Sequence, residues 1–247
     1  MDLSNARAII TGGASGLGAA TAEHFRQRGA QVTVLDRDDA GQAAAEAIGA
    51  HFARTDVTDE DSVAAAIALA VERMGGIDIC VNCAGIVTAG RTLGREGPLA
   101  LADFRRTIEI NLIGSFNVLR LAAAEMAKNG REENGVIVNT ASVAAFDGQS
   151  GQAAYAASKA AIAGMSLPIA RDLSRSNIRI CAIAPGIFGT PMLRSLPQDV
   201  QDSLAAEVTN PKRLGDPAEF ARLAAFIVEN AYMNGETIRI DGALRMR

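Results

Sequence analysis

The chain reads as an α/β protein: a doubly wound parallel sheet of seven strands with helices on both faces. Two patterns predict it. Short β-branched runs alternate with longer amphipathic or alanine-rich stretches, the rhythm of strand–helix–strand units. The first of these runs leads straight into a glycine-rich turn, Thr11-Gly-Gly-Ala-Ser-Gly-Leu-Gly18, of the kind that opens a nucleotide-binding helix. At 247 residues the chain has the length of a single such domain with a large core.

Ala6-Arg-Ala-Ile-Ile-Thr11 is the first strand, and the glycine turn delivers the chain into a helix over about 16–29. Strands follow at 31–36, 50–54, 77–83, 135–141, 178–184 and 236–240, with helices between them at 39–48, 58–74, 101–129, 152–176 and 216–229. Asp59 and Asp216 stand near two helix starts, where a carboxylate meets unpaired backbone N–H groups. Pro168 falls inside the helix that begins near Gln152; an interior proline costs about 3 kcal/mol, so a kink is expected there. The turn Arg131-Glu-Glu-Asn-Gly reads as solvated. No repeat, low-complexity tract or linker interrupts the pattern, so the chain is expected to be one domain.

Two stretches break the rhythm. Thr88 to Ala100 is a glycine-rich loop after the fourth strand. Phe188 to Pro211 follows the sixth strand and mixes Pro191, Pro197 and Pro211 with Met192, Leu193, Leu196 and Leu204. In open α/β sheets ligands sit beyond the carboxyl ends of the strands, where both stretches lie. Residues 188–211, with apolar positions too few and irregular for an ordinary core helix, are expected to form a lid over the substrate.

Composition narrows the function. A net charge of −4 argues against a nucleic-acid surface, and no apolar run approaches the ~18 residues that span a bilayer. The first strand starts close to Met1, leaving no room for a targeting segment, so a cytoplasmic location is expected. Cys80-Val-Asn-Cys83 matches C-x-x-C, but on a strand an odd separation puts the two sulfurs on opposite faces, which argues against a redox pair. His24 and His51 have no companion ligands, and no metal site is visible.

Chemistry concentrates in Gln152-Ala-Ala-Tyr-Ala-Ala-Ser-Lys-Ala-Ala, with Ser142 thirteen residues before Tyr155. On a helix Tyr155 and Lys159, four apart, share a face. A neighbouring cation favours the ionised phenol, so the Tyr155 pKa is expected to fall from about 10 towards working pH, as a general acid/base needs. Upstream, Gly12-x-x-x-Gly16-x-Gly18 lets the backbone approach a pyrophosphate at a helix N-terminus, a Rossmann-type arrangement. Eighteen residues past Gly18, Asp36 ends the second strand, where a carboxylate accepts both ribose hydroxyls and repels a 2′-phosphate. It argues for NAD over NADP; the adjacent Arg37 is the dissenting residue. Asp56 and Val57, after the third strand, are placed to meet the adenine, with a helix cap as the alternative role for Asp56.

These residues together resemble the short-chain dehydrogenase/reductase family along essentially the whole chain. Its markers come in order: the glycine turn, Asn82-Cys-Ala-Gly85, Asn111, Ser142, Tyr155-x-x-x-Lys159 and Pro185-Gly186. The branch most resembled is that of the type 2 (short-chain) 3-hydroxyacyl-CoA dehydrogenases, on Val81-Asn-Cys-Ala-Gly-Ile86, Asn139-Thr-Ala-Ser-Val-Ala-Ala-Phe146, Gly151-Gln-Ala-Ala-Tyr155, Arg213-Leu-Gly-Asp-Pro-Ala-Glu219 and Ile240-Asp-Gly-Ala-Leu-Arg-Met246. The chain departs from the branch in the 88–100 loop and the 192–211 segment, where substrate identity is least transferable.

The resemblance implies a catalytic set. Tyr155 would exchange a proton with the substrate oxygen, and Ser142 would hold that oxygen. Lys159 would bond the nicotinamide ribose, while Asn111 would keep a water in the proton path by disturbing its helix. It also implies that Gly12, Ser15, Gly16, Leu17, Gly18, Asp36, Asp56, Val57, Cys83, Ala84, Gly85, Tyr155, Lys159, Pro185, Phe188 and Thr190 border NAD. Ser142, Gln152 and Tyr155 would face the substrate. The implied activity is NAD-dependent oxidation of a secondary alcohol, in this branch the 3-hydroxyl of a short or branched acyl-CoA. The alternatives are a 3-oxoacyl thioester reductase, a broad alcohol or steroid dehydrogenase, and a non-catalytic nucleotide-binding scaffold, which an intact Ser142–Tyr155–Lys159 set disfavours. The family usually forms homotetramers through the two long helices, here 101–129 and 152–176, and the same is expected.

Overall fold

Seven parallel strands form the central sheet in the order β3-β2-β1-β4-β7-β8-β9. They are β1 (Arg7–Thr11), β2 (Gln31–Asp36), β3 (His51–Arg54), β4 (Ile79–Asn82), β7 (Gly135–Thr140), β8 (Ile178–Pro185) and β9 (Thr237–Ile240). All seven expected strands are present, each within two residues of its expected ends. The structure is a computed structural model and describes residues 1–194 and 197–246; Leu196 and the side chain of Met192, on which the lid expectation drew, lie outside the described set.

The strands alternate their side chains between two apolar layers, as a period of two requires. Ile10, Val34, Val81 and Val138 face one layer, with Phe25 of α1 (Gly16–Gln27) and Phe220 of α9 (Pro217–Glu229). Ile9, Leu35, Cys80 and Ile137 face the other, with α3 (Glu60–Met74) and α5 (Gly114–Met126). Cys80 and Cys83 therefore pack in different layers. In α3 the buried residues Val63, Ala66, Ile67, Ala70 and Met74 make one stripe at helical spacing.

Both predicted caps are present. The Asp59 carboxylate accepts from Ser62 N at 3.0 Å, and Gly75 closes α3 with φ +78°. Asp216 begins α9 in a capping box with Glu219, behind a proline in the first turn. The helix α2 (Ala40–Ala47) completes the β2–β3 connection.

Three expectations are refined. The helix expected over 101–129 is divided into α4 (Leu101–Ile108), a π-helical turn (Glu109–Ile113) and α5. The 88–100 loop carries a short antiparallel ribbon, β5 (Leu93–Gly94) with β6 (Gly97–Pro98). Segment 188–211 contains two helices, α7 (Pro191–Arg194) and α8 (Gln198–Glu207), and α8 buries none of its residues. The helix α6 (Ala153–Asp172) runs on through Pro168. No helix among the described residues is long and apolar enough to cross a membrane. Strand order reverses between β1 and β4, so the connections diverge there and open a crevice at the carboxyl edge.

Candidate active site

The crevice is built on backbone contact between the turns that follow β1 and β4. Gly12 has φ +64°, and a Cβ on it would stand 2.8–2.9 Å from the backbone of Ala84 and Cys83. A Cβ on Gly18 would drive into the Gly12 carbonyl, so α1 can start this close to the strand only with glycine there. Thr11 locks the two turns together: its hydroxyl accepts from Cys83 N and Ala84 N, both at 3.1 Å. Ser15 stands at the α1 N-cap without capping it through its side chain, and Leu17 packs partly buried against the core. Gly16, at φ +56°, faces Thr190, whose Cγ2 would lie 3.4 Å from an added Cβ.

Asp36 ends β2 at the rim of this turn. One carboxylate oxygen accepts from Ala14 N at 3.0 Å and the other from Asp38 N at 3.1 Å. Each oxygen has a second lone-pair site to offer. Asp56 is not the helix cap, since Asp59 has that role. A single Asp56 oxygen takes both Thr58 N and Thr58 Oγ1, at 2.9 and 2.7 Å, and these bonds hold its carboxyl below the usual range. Val57 is buried beside Gly114, its carbonyl held by Asn117 Nδ2 at 3.0 Å.

Across the crevice α6 presents Tyr155 and Lys159. The Lys159 ammonium is buried, donates to the Thr140 carbonyl at 2.7 Å and lies 5.8 Å from the centre of the Tyr155 ring. Gly85 keeps the space in front of it clear. A Cβ there would meet Asn111 Oδ1 at 3.1 Å and Lys159 Nζ at 3.6 Å. Asn111, fully buried in the π turn, accepts from Ile86 N at 2.8 Å and donates to Ile86 O and Ser158 Oγ, both at 3.0 Å. Ser158 in turn donates to the Tyr155 carbonyl at 2.7 Å. Ser142 begins a 3₁₀ turn and accepts from Ala144 N at 3.1 Å, and its hydroxyl stands where it favours the ionised form of the Tyr155 phenol.

The titration of this cluster corrects one expectation. Burial raises the Tyr155 pKa, with only the Ser142 hydrogen bond opposing it, so the neighbouring lysine does not bring the phenol down in the protein alone. Burial acts on the cation as well, lowering Lys159 to about 8. Cys83 stands beside the lysine and accepts from Thr140 Oγ1 at 3.5 Å, and burial pushes its thiol up to about 11.

Sequence reasoning gave no role to the residues that hold these groups, although it quoted some of them within motifs. Thr140 receives the lysine, Ser158 links Asn111 to α6, and Thr11, Asn82 and Asn139 form a buried polar cluster between strand ends. Polar residues closing otherwise β-branched strands were the available signal. Two expected residues have their side chains engaged with other protein groups. The Phe188 ring packs in the core against Gly215, leaving only its backbone at the rim. The Gln152 amide pairs with Gln149, at 3.1 and 3.4 Å, in an open pocket of about 480 Å³ shared with Arg91 and Leu93 of the 88–100 loop. Pro185 ends β8 opposite Ile240.

The sequence profile of short chain dehydrogenases matches residues 6–201. The chain belongs to the short-chain dehydrogenase family. Among its relatives, the 3-hydroxyacyl-CoA dehydrogenase type-2 of Bos taurus is 54% identical over 97% of this chain and 95% of its own length. The protein of that name from Drosophila melanogaster is 53% identical over 99% of both. The crystal structure of a 3-hydroxyacyl-CoA dehydrogenase type-2 from Mycobacterium avium superimposes with a TM-score of 0.94 at 43% identity, covering 98% of this chain and 97% of that one. This short-chain dehydrogenase is thus an oxidoreductase working with a nicotinamide cofactor on a small molecule. The crevice fits such a cofactor: glycines at 12, 13, 16 and 18 leave the backbone of the turn open to a pyrophosphate, and Asp36 has lone pairs to spare.

The Lys159 shift has a consequence for stability. The unfolded chain keeps this proton to about 10.5, whereas the folded one releases it near 8. Between those values the unfolded state binds more protons, so this group favours folding increasingly as pH rises from 8 to 10.5. Below 8 the cost of the buried charge is fully present. Urea unfolding of wild type and Lys159→Met without cofactor is expected to show the wild type gaining on the variant across that window. A constant difference contradicts the assignment.

Proposed function

We propose that this dehydrogenase uses NAD to oxidise the 3-hydroxyl of a short or branched-chain 3-hydroxyacyl-CoA to the 3-oxoacyl-CoA. The observation that carries the reading is near full-length similarity, above half identity, to relatives named for that activity. Asp36 supports NAD, since a carboxylate at the end of β2 would repel a 2′-phosphate. Arg37, which could have argued for NADP, is exposed and close enough to Asp56 to favour that carboxylate's ionised form.

In this reading bound NAD supplies the hydride acceptor. Gly12, Ser15, Gly16, Leu17, Gly18 and Thr190 border its phosphates, with Asp36 on the ribose and Asp56 and Val57 on the adenine. Cys83, Ala84, Gly85, Pro185 and the backbone of Phe188 line the floor. Tyr155 takes the proton of the substrate hydroxyl while Ser142 donates a hydrogen bond to the same oxygen. Lys159 holds the nicotinamide ribose and its charge stabilises the phenolate; Asn111 keeps a water on the proton's exit path. Gln152 forms part of the substrate wall.

The chain is proposed to act as one domain with segment 188–211 as its lid, supported by α8 having no buried residue and by its position at the nicotinamide side. Apolar residues left exposed here, Ile113 in the π turn, Phe116 on α5 and Leu167 on α6, support a homotetramer that covers them.

Tyr155→Phe is expected to abolish turnover of 3-hydroxybutanoyl-CoA and leave NAD binding nearly intact. A rate above about a tenth of wild type, equivalent to a loss below about 1.4 kcal/mol, removes the proton role from Tyr155. Asp36→Ala is expected to raise the Michaelis constant for NAD about ten- to a hundredfold, the cost of one charged hydrogen-bonding group, and to narrow its advantage over NADP. An outright NADP preference of the wild type contradicts the cofactor choice. Hydrogen exchange over 188–211 is expected to slow when NAD and the acyl-CoA are both present, whereas equal protection in both states marks a permanently packed connector.

A further inference from the structure

One ion-pair cluster at the edge of the sheet has no part in the chemistry described above. Arg239 lies on β9 opposite Ala184. Its Nη2 donates to Asp147 Oδ2 at 2.5 Å and its Nε to Asp241 Oδ2 at 2.7 Å. Nη2 also reaches the Leu244 carbonyl at 3.1 Å, and the guanidinium lies 5.4 Å from the centre of the Phe146 ring. The side chains are largely sheltered, with exposures of 23% for Arg239, 19% for Asp147 and 9% for Asp241. A two-acceptor fork of this kind fixes orientation as well as distance.

What the fork joins gives it a use. Asp147 ends the turn that Ser142 begins, and its N–H donates to the Val143 carbonyl at 2.9 Å. It stands between Ser142 and the start of α6, so the whole connection from Ser142 to Tyr155 is pinned at Asp147. On the other side, Asp241 packs against Gly186, where an added Cβ would lie 2.9 Å from it. The next two residues hold the foot of segment 188–211: Asn210 N donates to Gly242 O, and Thr209 Oγ1 to Ala243 O, both at 3.1 Å. Ala243 adopts φ +63°, a left-handed conformation that costs a side-chain-bearing residue about 1 kcal/mol or more and persists where surrounding contacts impose it.

We infer that Arg239 is a positioning residue, holding the Ser142 turn in register with α6 through Asp147 and tying that turn to the foot of segment 188–211 through Asp241. The inference rests on the proposed role of Ser142. Neither Arg239 nor Asp147 touches a reacting atom, so the effect belongs in turnover and in the titration of the group that Ser142 bonds.

Arg239→Met, Arg239→Lys, Asp147→Asn and the Arg239→Met/Asp147→Asn double variant are compared with wild type. The readouts are the kinetics of 3-hydroxybutanoyl-CoA oxidation, NAD affinity and thermal unfolding. Arg239→Met and Asp147→Asn are expected each to lower kcat about ten- to a hundredfold, the scale of a small misplacement set up away from the chemistry. The double variant is expected to lose no more than either single one, and Arg239→Lys, which keeps the charge without the fork, to recover only part. NAD affinity, to which neither Arg239 nor Asp147 contributes a contact in the proposed site, is expected to stay within about twofold, well under 1 kcal/mol. In a Tyr232→Phe background, ultraviolet titration is expected to show the Tyr155 phenol ionising at higher pH in Asp147→Asn, because its Ser142 partner has been released. That reading needs no substrate, so it judges the pair even if Ser142→Ala retains full turnover and the proposed activity falls. An unmoved phenol, additive losses, or a lowered melting temperature with kcat unchanged overturns the inference.

Discussion

A buried lysine ammonium with no carboxylate paired to it among the described residues is the constraint to which the carboxyl edge of the sheet is fitted. Lys159 has three protons to give, and among the described residues the Thr140 carbonyl is the one acceptor it bonds. A charge enclosed with so little compensation is costly, which is why its pKa falls towards 8. Its neighbours follow from that. Gly85 leaves room beside the ammonium and Asn111, the Cys83 thiol stays neutral, and the Thr140 carbonyl is available because β7 ends there. Such a site gains by binding a ligand that offers acceptors, and the hydroxyls of a nucleotide ribose are of that kind.

The same economy governs the backbone. Glycine at positions 12 and 18 lets the turn after β1 touch the turn after β4, and Thr11 joins them with one hydroxyl. The π turn displaces Asn111 from an ordinary helical register and buries its amide against Ile86 and Ser158, so that α5 and α6 are tied through polar groups as well as packing. At the other end of the sheet Arg239 performs a comparable service for the Ser142 turn. Lys159 and Asn111 are thus each held by a partner on a different element.

Much of this was legible in the sequence because it is local. Strand alternation, the caps Asp59 and Asp216, the glycine turn and the four-residue spacing of Tyr155 and Lys159 all depend on neighbours along the chain. What could not be read depends on distance or burial. Glu109-Ile-Asn-Leu-Ile113 contains no helix breaker, and only family resemblance implied that Asn111 disturbs its helix. Asp147 and Arg239 are 92 positions apart, and nothing in either segment signals the other. The sign of the Tyr155 shift was misread for a related reason. Proximity of a cation can be inferred from spacing, whereas the desolvation that outweighs it belongs to the folded crevice. Whether Phe188 offers its ring or its backbone to the rim is likewise decided by the fold, which buries the ring in the core.

On the proposed function, Lys159 governs the Tyr155 proton once bound NAD offers its ribose hydroxyls to the ammonium. The chain has two tyrosines and no tryptophan, so the Tyr232→Phe protein reports the ionisation of Tyr155 alone in the near ultraviolet. Without NAD this phenol is expected to ionise above about 10, the value of a free tyrosine, because burial disfavours the phenolate. With saturating NAD it is expected to ionise well below that value, and Lys159→Met is expected to abolish the drop. A phenol that titrates at the same pH with and without NAD, or that drops equally in the lysine variant, contradicts the account.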